Sequence, residues 1–229
     1  MTLMKRRIAV ISMWIGLYVG YILLMSHIVV LASSTSNFTQ TITAGSLAID
    51  IVNGSYVTVA SPAVAMGSKT FSFACQTSTG TLGTVTQMIY VYNPDAADAG
   101  WTASLAGSAT TALWASAGPD YDFNDPTTSG CTDGADADAF GGQMTVDASG
   151  GTLAKGQCAT CVTTNVTKGS SGSFNEGTTN SITVLAGAAG SDDIGDWTLI
   201  GVAISQKIPA EQIPATDYNI NMVLSIVAL

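Results

Sequence analysis

The densest chemistry in the 229-residue chain lies between Asp120 and Asp147, which hold seven of its sixteen acids. Asp120, Asp122 and Asn124 stand at alternate positions, the D-x-D-x-N spacing of the first three oxygen ligands of a calcium loop. The match stops at Asp125, where such a loop needs glycine, and at Cys131, where it needs a bidentate glutamate. An EF-hand is thereby excluded, but calcium is not, because the ion accepts about six to eight hard oxygens in varied geometry. Asp125, Asp133, Asp136 and Asp138 supply further carboxylates, and no basic residue lies between Lys69 and Lys155 to neutralise them. The expectation is a Ca2+-ordered loop held by Asp120, Asp122, Asn124, Asp125, Asp133, Asp136 and Asp138. The competing reading is a solvated acidic loop that aids solubility. A third is glycosidase-like paired carboxylates, with Trp101, Trp114 and Tyr121 lining a sugar site.

Cysteine is the second reactive type. Cys75, Cys131, Cys158 and Cys161 all follow the N-terminal segment, and an even count in an exported chain implies disulfides. Four cysteines allow three pairings. Cys158 and Cys161 are close enough in sequence to close a small ring, which favours Cys158–Cys161 and leaves Cys75–Cys131 to tie a strand end to the acidic loop. The rival is a four-cysteine zinc site, but only one CxxC is present. A thioredoxin-like role needs a βαβ unit beside that motif, and none is legible.

The remaining charges narrow the partners. After Lys5, Arg6 and Arg7, only Lys69, Lys155, Lys168 and Lys207 face the sixteen acids, a net charge of −12 for the body. Such a body has no basic surface for nucleic acid and no arginine fork for phosphate. The single histidine, His27, lies in an apolar run, so imidazole catalysis and histidine-ligated metals are excluded from the body. With 47% hydrophobic residues, the chain is too apolar for intrinsic disorder.

Three elements must position these groups. Residues 1–32 read as a secretory signal or signal anchor: a basic start, then an apolar run from Ile8 to Ala32. That run exceeds the usual signal core and approaches the length of a membrane-spanning helix. Cleavage near Val30-Leu31-Ala32-Ser33-Ser34 is the favoured outcome, and a retained anchor is the only membrane contact expected. Residues 33–229 read as one all-β domain, an antiparallel sandwich of the Ig-like or jelly-roll-like kind. Period-two alternation recurs at 41–44, 46–51, 56–59, 70–73, 88–92, 143–146, 181–185, 197–202 and 218–226. Turn signals such as Asn53-Gly54, Asn93-Pro94-Asp95 and Ser191-Asp192-Asp193 separate them. Long loops are expected at about 106–140 and 148–177. Three sequons, at Asn37, Asn53 and Asn165, are expected to carry no glycan.

Trp101 and Trp197 each begin a short strand. Strand tryptophans ordinarily pack in a core; the sharper reading makes the pair a surface feature for glycan contact. The segments Ile42-Thr43-Ala44-Gly45-Ser46-Leu47, Gly100-Trp101-Thr102, Trp197-Thr198-Leu199 and Ile213-Pro214-Ala215-Thr216-Asp217-Tyr218 together resemble the WxL-like surface proteins of bacteria. Trp197-Thr198-Leu199 is a full W-x-L, whereas Trp101-Thr102-Ala103 lacks the leucine. The resemblance implies a β-rich exported domain, held non-covalently at the cell wall or surface, with no catalysis. No LPxTG-type tail precedes Leu229. The expectation is therefore a non-enzymatic, extracellular surface protein that binds a wall polymer or a surface protein. The alternative is a fibre subunit that assembles by strand pairing through 218–226.

Overall fold

The computed structural model describes residues 2–25, 39–94, 99–126, 129–134, 138–191 and 194–229, with side chains from Arg6 to Ile22 in the first stretch. His27, the cleavage region 30–34, Asn37, Asp95, Asp136, Asp192 and Asp193 lie outside the described residues. The chain divides into two units, 1–42 and 43–229. The first contains α1 (Thr2–Met25). Its described side chains are apolar on every face beyond Arg7, and Ile8, Trp14, Leu17 and Tyr18 are exposed. Among the described residues no helix is long and apolar enough to cross a membrane.

The second unit is an antiparallel β-sandwich with fourteen strands among the described residues. They are β1 (Ala48–Val52), β2 (Gln76–Leu82), β3 (Met88–Asn93), β4 (Trp101–Gly107), β5 (Leu113–Trp114), β6 (Tyr121–Asp122) and β7 (Gln143–Asp147). Then follow β8 (Thr152–Lys155), β9 (Val166–Lys168), β10 (Gly172–Ser173), β11 (Ser181–Gly187), β12 (Gly195–Ile200), β13 (Val202–Ile208) and β14 (Met222–Ala228). A first sheet has the order β1-β3-β12-β8, a second β10-β7-β13-β2 and a third β14-β4-β11-β9; β5 and β6 form a separate hairpin.

The first two sheets are halves of one creased ladder. β12 runs directly into β13, broken only at Gly201 (φ +81°). Its neighbours cross the same line: Leu199 pairs with Ile89 and Val202 with Leu82 on one side, Ile200 with Thr152 and Ala203 with Asp147 on the other. Each neighbour carries extra residues at the crossing, and each has a glycine there. A Cβ on Gly83 (φ +80°) would lie 2.8 Å from the Leu199 carbonyl oxygen, and one on Gly151 2.9 Å from that of Ile200. The Gly201 N–H donates to the Gly83 carbonyl at 2.8 Å. Backbones can approach this closely only without side chains, which is how one strand set turns a sandwich corner.

The third sheet covers the creased one. Trp101 from β4 and Trp197 from β12 meet across the layers with ring centroids 5.5 Å apart. Val91, Val146, Val184, Leu185, Leu199 and Val202 are fully buried around them. This alternation of inward apolar and outward polar positions is what the period-two pattern specified.

Some expected elements differ. The stretches 106–140 and 148–177, expected as loops, carry β5, β6, β8, β9 and β10. These strands are two to four residues long, too short to show a period. Conversely, 41–44 and 70–73 form no strand, and 56–59 contributes only an isolated bridge, Val52 to Thr58. The final strand starts at Met222 rather than at Tyr218. No helix follows α1 among the described residues.

Both disulfides take the favoured pairing, Cys75–Cys131 and Cys158–Cys161, at sequence separations of 56 and 3. The four-cysteine zinc site is thereby overturned, since every sulfur is bonded to another sulfur. Loop-closure entropy makes the first bridge worth about 4 kcal/mol and the second about 2 kcal/mol. Denaturant unfolding of Cys75→Ser/Cys131→Ser and Cys158→Ser/Cys161→Ser is expected to rank the losses in that order. At the crease, Gly83→Ala should destabilise more than Gly201→Ala. Both take on the left-handed penalty of about 1–2 kcal/mol, but only Gly83 also meets a backbone oxygen; the nearest atom to a Cβ on Gly201 is 3.7 Å away.

Candidate functional site

The acidic segment is a structural seam. Asp120 lies in the β5–β6 turn, where its Oδ1 accepts the Ser116 N–H at 3.0 Å. Asp122, Asn124 and Asp125 are buried. The backbone of this segment is extended against 141–144: Asp122 N donates to Gly141 O, Met144 N to Phe123 O, and Asp125 N to Gly142 O. The Asn124 amide donates to the Thr110 carbonyl at 2.8 Å. Buried Gln206 donates to the Asp122 carbonyl at 2.9 Å and accepts the Trp114 indole N–H at 2.9 Å, stitching the hairpin to β13. Asp138 accepts the Phe140 N–H. Asp133 lies farther along the loop beyond Cys131, and Asp136 lies outside the described residues. Among the described residues, no three carboxylates of this loop come within 4.8 Å of one another. An extended buried chain aims alternate side chains along a line, whereas a calcium loop curls around its ion, so the geometry supplies no argument for the expected Ca2+ cage.

The one group of three metal-capable residues among those described is Cys158, Cys161 and Asp196. Its sulfurs are bonded to each other, and the Asp196 carboxylate is fully engaged. Oδ2 accepts the Tyr90 hydroxyl at 2.7 Å and the Gln157 N–H at 2.6 Å, and Oδ1 accepts the Cys158 N–H at 2.8 Å. This buried acid therefore clamps the disulfide ring onto β12 and fixes a tyrosine of β3.

The proposed surface pair is corrected by burial: Trp101 and Trp197 are 1% and 0% exposed. The Trp197 indole N–H donates to the Val162 carbonyl at 2.8 Å. Glycines lie beneath both rings, since a Cβ on Gly187 or Gly195 would come within 2.7 Å of Trp101 or Trp197. No ring face is left for a glycan. Trp114 and Tyr121 do come together, nearly parallel with centroids 5.8 Å apart, and Tyr218 meets Tyr121 edge-on at 5.0 Å. They line a cleft of about 410 Å³ with Lys69, Phe71 and Gln212. The polar atoms of this cluster are used internally. The Tyr218 hydroxyl shares its one proton between the Ile213 and Pro119 carbonyls, at 2.7 and 3.0 Å, and Gln212 donates to that hydroxyl and to the Pro119 carbonyl. Burial pushes the Tyr121 phenol well above its ordinary range. The cluster pins 209–221 to the hairpin. Trp101 is not part of it, which removes the three-aromatic sugar site considered for paired carboxylates.

The aromatic surface lies elsewhere, on the outer face of the first sheet. Tyr90 and Tyr92 alternate with buried Val91, so both point outward; their rings are 22° from parallel with centroids 6.4 Å apart. Tyr56, from the turn after β1, meets Tyr90 edge-on at 5.3 Å. Its φ of +59° is costly for a tyrosine. The Asn53 Oδ1 that accepts the Ser55 and Val57 N–H groups holds that turn. Tyr92 is 47% exposed, and Tyr56 and Tyr90 are half-buried. Asp50 pairs with Tyr90 across β1 and β3, and Asp196 with Tyr92 across β12 and β3. The motif Tyr90-Val-Tyr92 is the signal for this row in the sequence; Tyr56 is brought in by the turn alone. Of the sequons, Asn53 forms that turn, and Asn165 donates to the Gly190 carbonyl at 2.7 Å.

No protein-family model matches the chain, and no curated protein or solved structure matches it.

Burial first, and then the hydrogen bond and charge of Asp196, push the Tyr90 phenol from 10.0 up to about 12. The folded state thus keeps a proton that the unfolded chain releases. That contribution to stability is complete below the unfolded value and is lost as pH rises through about 12. Tyr90→Phe is expected to lessen the fall in unfolding free energy between pH 10 and 12, read by denaturant titration at each pH. An unchanged slope would show that the Tyr90 phenol does not carry this pH dependence.

Proposed function

We propose that this is an exported, non-enzymatic surface protein that binds a wall polysaccharide through the tyrosine row Tyr56–Tyr90–Tyr92. One observation carries the reading: three outward tyrosines gathered on one sheet face, one of them locked by a buried carboxylate. An aromatic ring offers an apolar face to the C–H face of a pyranose and a polar tip to its hydroxyls. Two-torsion side chains held by Asp196 and by the Asn53 turn lose little freedom on binding. The cross-strand partners of Tyr90 and Tyr92 include Asp50 and Asp196, and the body is strongly acidic, which favours a neutral or amine-bearing glycan over a phosphate-rich polymer.

Export is supported by the basic and apolar N-terminal helix and by two disulfides, which persist in oxidising compartments. The resemblance to WxL-like surface proteins points to the same location and class of ligand. Calcium is no part of the proposal.

The test is co-sedimentation with purified insoluble wall glycan, and with a phosphate-bearing wall polymer as the contrast. Tyr92→Ala and Tyr56→Ala are each expected to weaken glycan binding about tenfold, roughly 1.4 kcal/mol, with little change in unfolding midpoint because both rings reach solvent. Binding of a neutral glycan should depend only weakly on salt, since no ion pair is invoked. Wild-type retention by both variants, or preference for the phosphate polymer, overturns the proposal.

A further inference from the structure

We propose that β14 pairs edge to edge with β14 of a second copy, antiparallel about Ser225, giving a closed dimer in which two third sheets become one. The inference rests on the sheet edges and is independent of glycan binding.

A sheet edge exposes unpaired N–H and C=O groups, and monomeric proteins blunt such edges by shortness, charge, proline or cover. Among the described residues the three four-stranded sheets have six edges, and five of them are blunted. β10 has two residues, β9 has three with Lys168, and β8 has four with Lys155. β1 is covered by the segment after it, where Val59 N donates to Ile51 O and Asn53 N to Val57 O. β2 is covered by 64–67: Gly67 N donates to Thr79 O, and the Ser78 hydroxyl donates to Gly67 O. The sixth edge is β14. It has seven residues, no charge, no proline and an unbroken register against β4; no described strand is hydrogen-bonded to its outer side, and β1 approaches it without pairing.

The side chains of β14 show what would fit there. Read outward from Ser225, the strand is close to a palindrome: Leu224 against Ile226, Val223 against Val227, and Met222 against Ala228. An antiparallel pair of copies centred on Ser225 sets each apolar residue opposite an apolar residue of the same face, and Ser225 opposite itself. Self-complementarity of this kind is what a two-fold interface requires, and cross-strand β-branched pairs are among the favourable ones. Met222, Leu224 and Ile226 pack on the core yet remain half-buried, while Val223 and Val227 are 47% and 63% exposed. A neighbouring strand would cover the first set from the side and flank the second. Because one edge serves both copies, the assembly closes at two and does not extend into a fibre.

The test uses the full chain under mild oxidation, read by non-reducing electrophoresis and by sedimentation. Ser225→Cys is expected to cross-link with its own copy, because facing positions on paired strands lie within disulfide reach. Val227→Cys is not, because it faces Val223 and its counterpart lies about 13 Å along the strands, beyond the reach of a bridge. Val223→Cys/Val227→Cys should cross-link again. Ser225→Lys, tolerated by an exposed outer-face position, should sediment as a monomer with an unchanged circular dichroism spectrum. The proposal is overturned if folded Ser225→Cys stays monomeric, if Val227→Cys alone cross-links as well as Ser225→Cys, or if the chain forms filaments.

Discussion

The contact between Trp101 and Trp197 across the two layers sets the spacing of the sandwich. Two indoles tilted 38° to each other with centroids 5.5 Å apart fill more volume than any aliphatic pair in this core. The chain accommodates them by placing glycines beneath the rings: Gly187 opposite Trp101 on β11, and Gly195 two positions before Trp197 on β12. A side chain at either glycine would displace a ring and part the layers. The same pair explains why these tryptophans are unavailable for recognition, and why recognition has to be sought on the outer faces.

The glycines at the crease impose the second constraint. Gly83, Gly151 and Gly201 sit on three adjacent strand paths where one ladder bends from the first sheet into the second. The bend allows a single set of strands to supply most of one side of the sandwich. It also decides which edges are left over. β1 and β2 end up flanked by segments that fold back over them, whereas β14, at the edge of the third sheet, has no described strand hydrogen-bonded beyond it, although β1 approaches it. The outer face of the first sheet, with its tyrosine row, is a product of the same arrangement.

The acids serve mainly to organise backbone. Asp196 receives two N–H groups and a phenol, Asp120 receives an N–H of its own hairpin, and Asp147 receives both the N–H and the hydroxyl of Ser149, which hold its carboxyl below the usual range. In a chain with so few lysines, N–H donors take the place of cationic partners. A segment dense in aspartate reads in composition like an ion site, while Asp120, Asp138 and Asp147 each accept an N–H of their own turn.

The sequence by itself determined the all-β class and the N-terminal helix, and favoured the cysteine pairing that the structure then fixed. Alternation, β-branched residues and a three-residue cysteine spacing are local properties, and local sterics act on them directly. It also carried Tyr90-Val-Tyr92, whose period of two places both rings on one face before any fold is known. Only the tertiary structure decided which face is inside. An alternating strand does not say whether its tryptophan or its threonine points to the core; that depends on the layer opposite, and here Trp101 and Trp197 chose each other. The same holds for D-x-D-x-N, whose spacing suits an ion only if the backbone curls, and it is extended because 141–144 offers it a ladder. Short strands such as β8 to β10, and the bareness of the β14 edge, are equally invisible in one dimension, because pairing partners far apart in the chain create or withhold them.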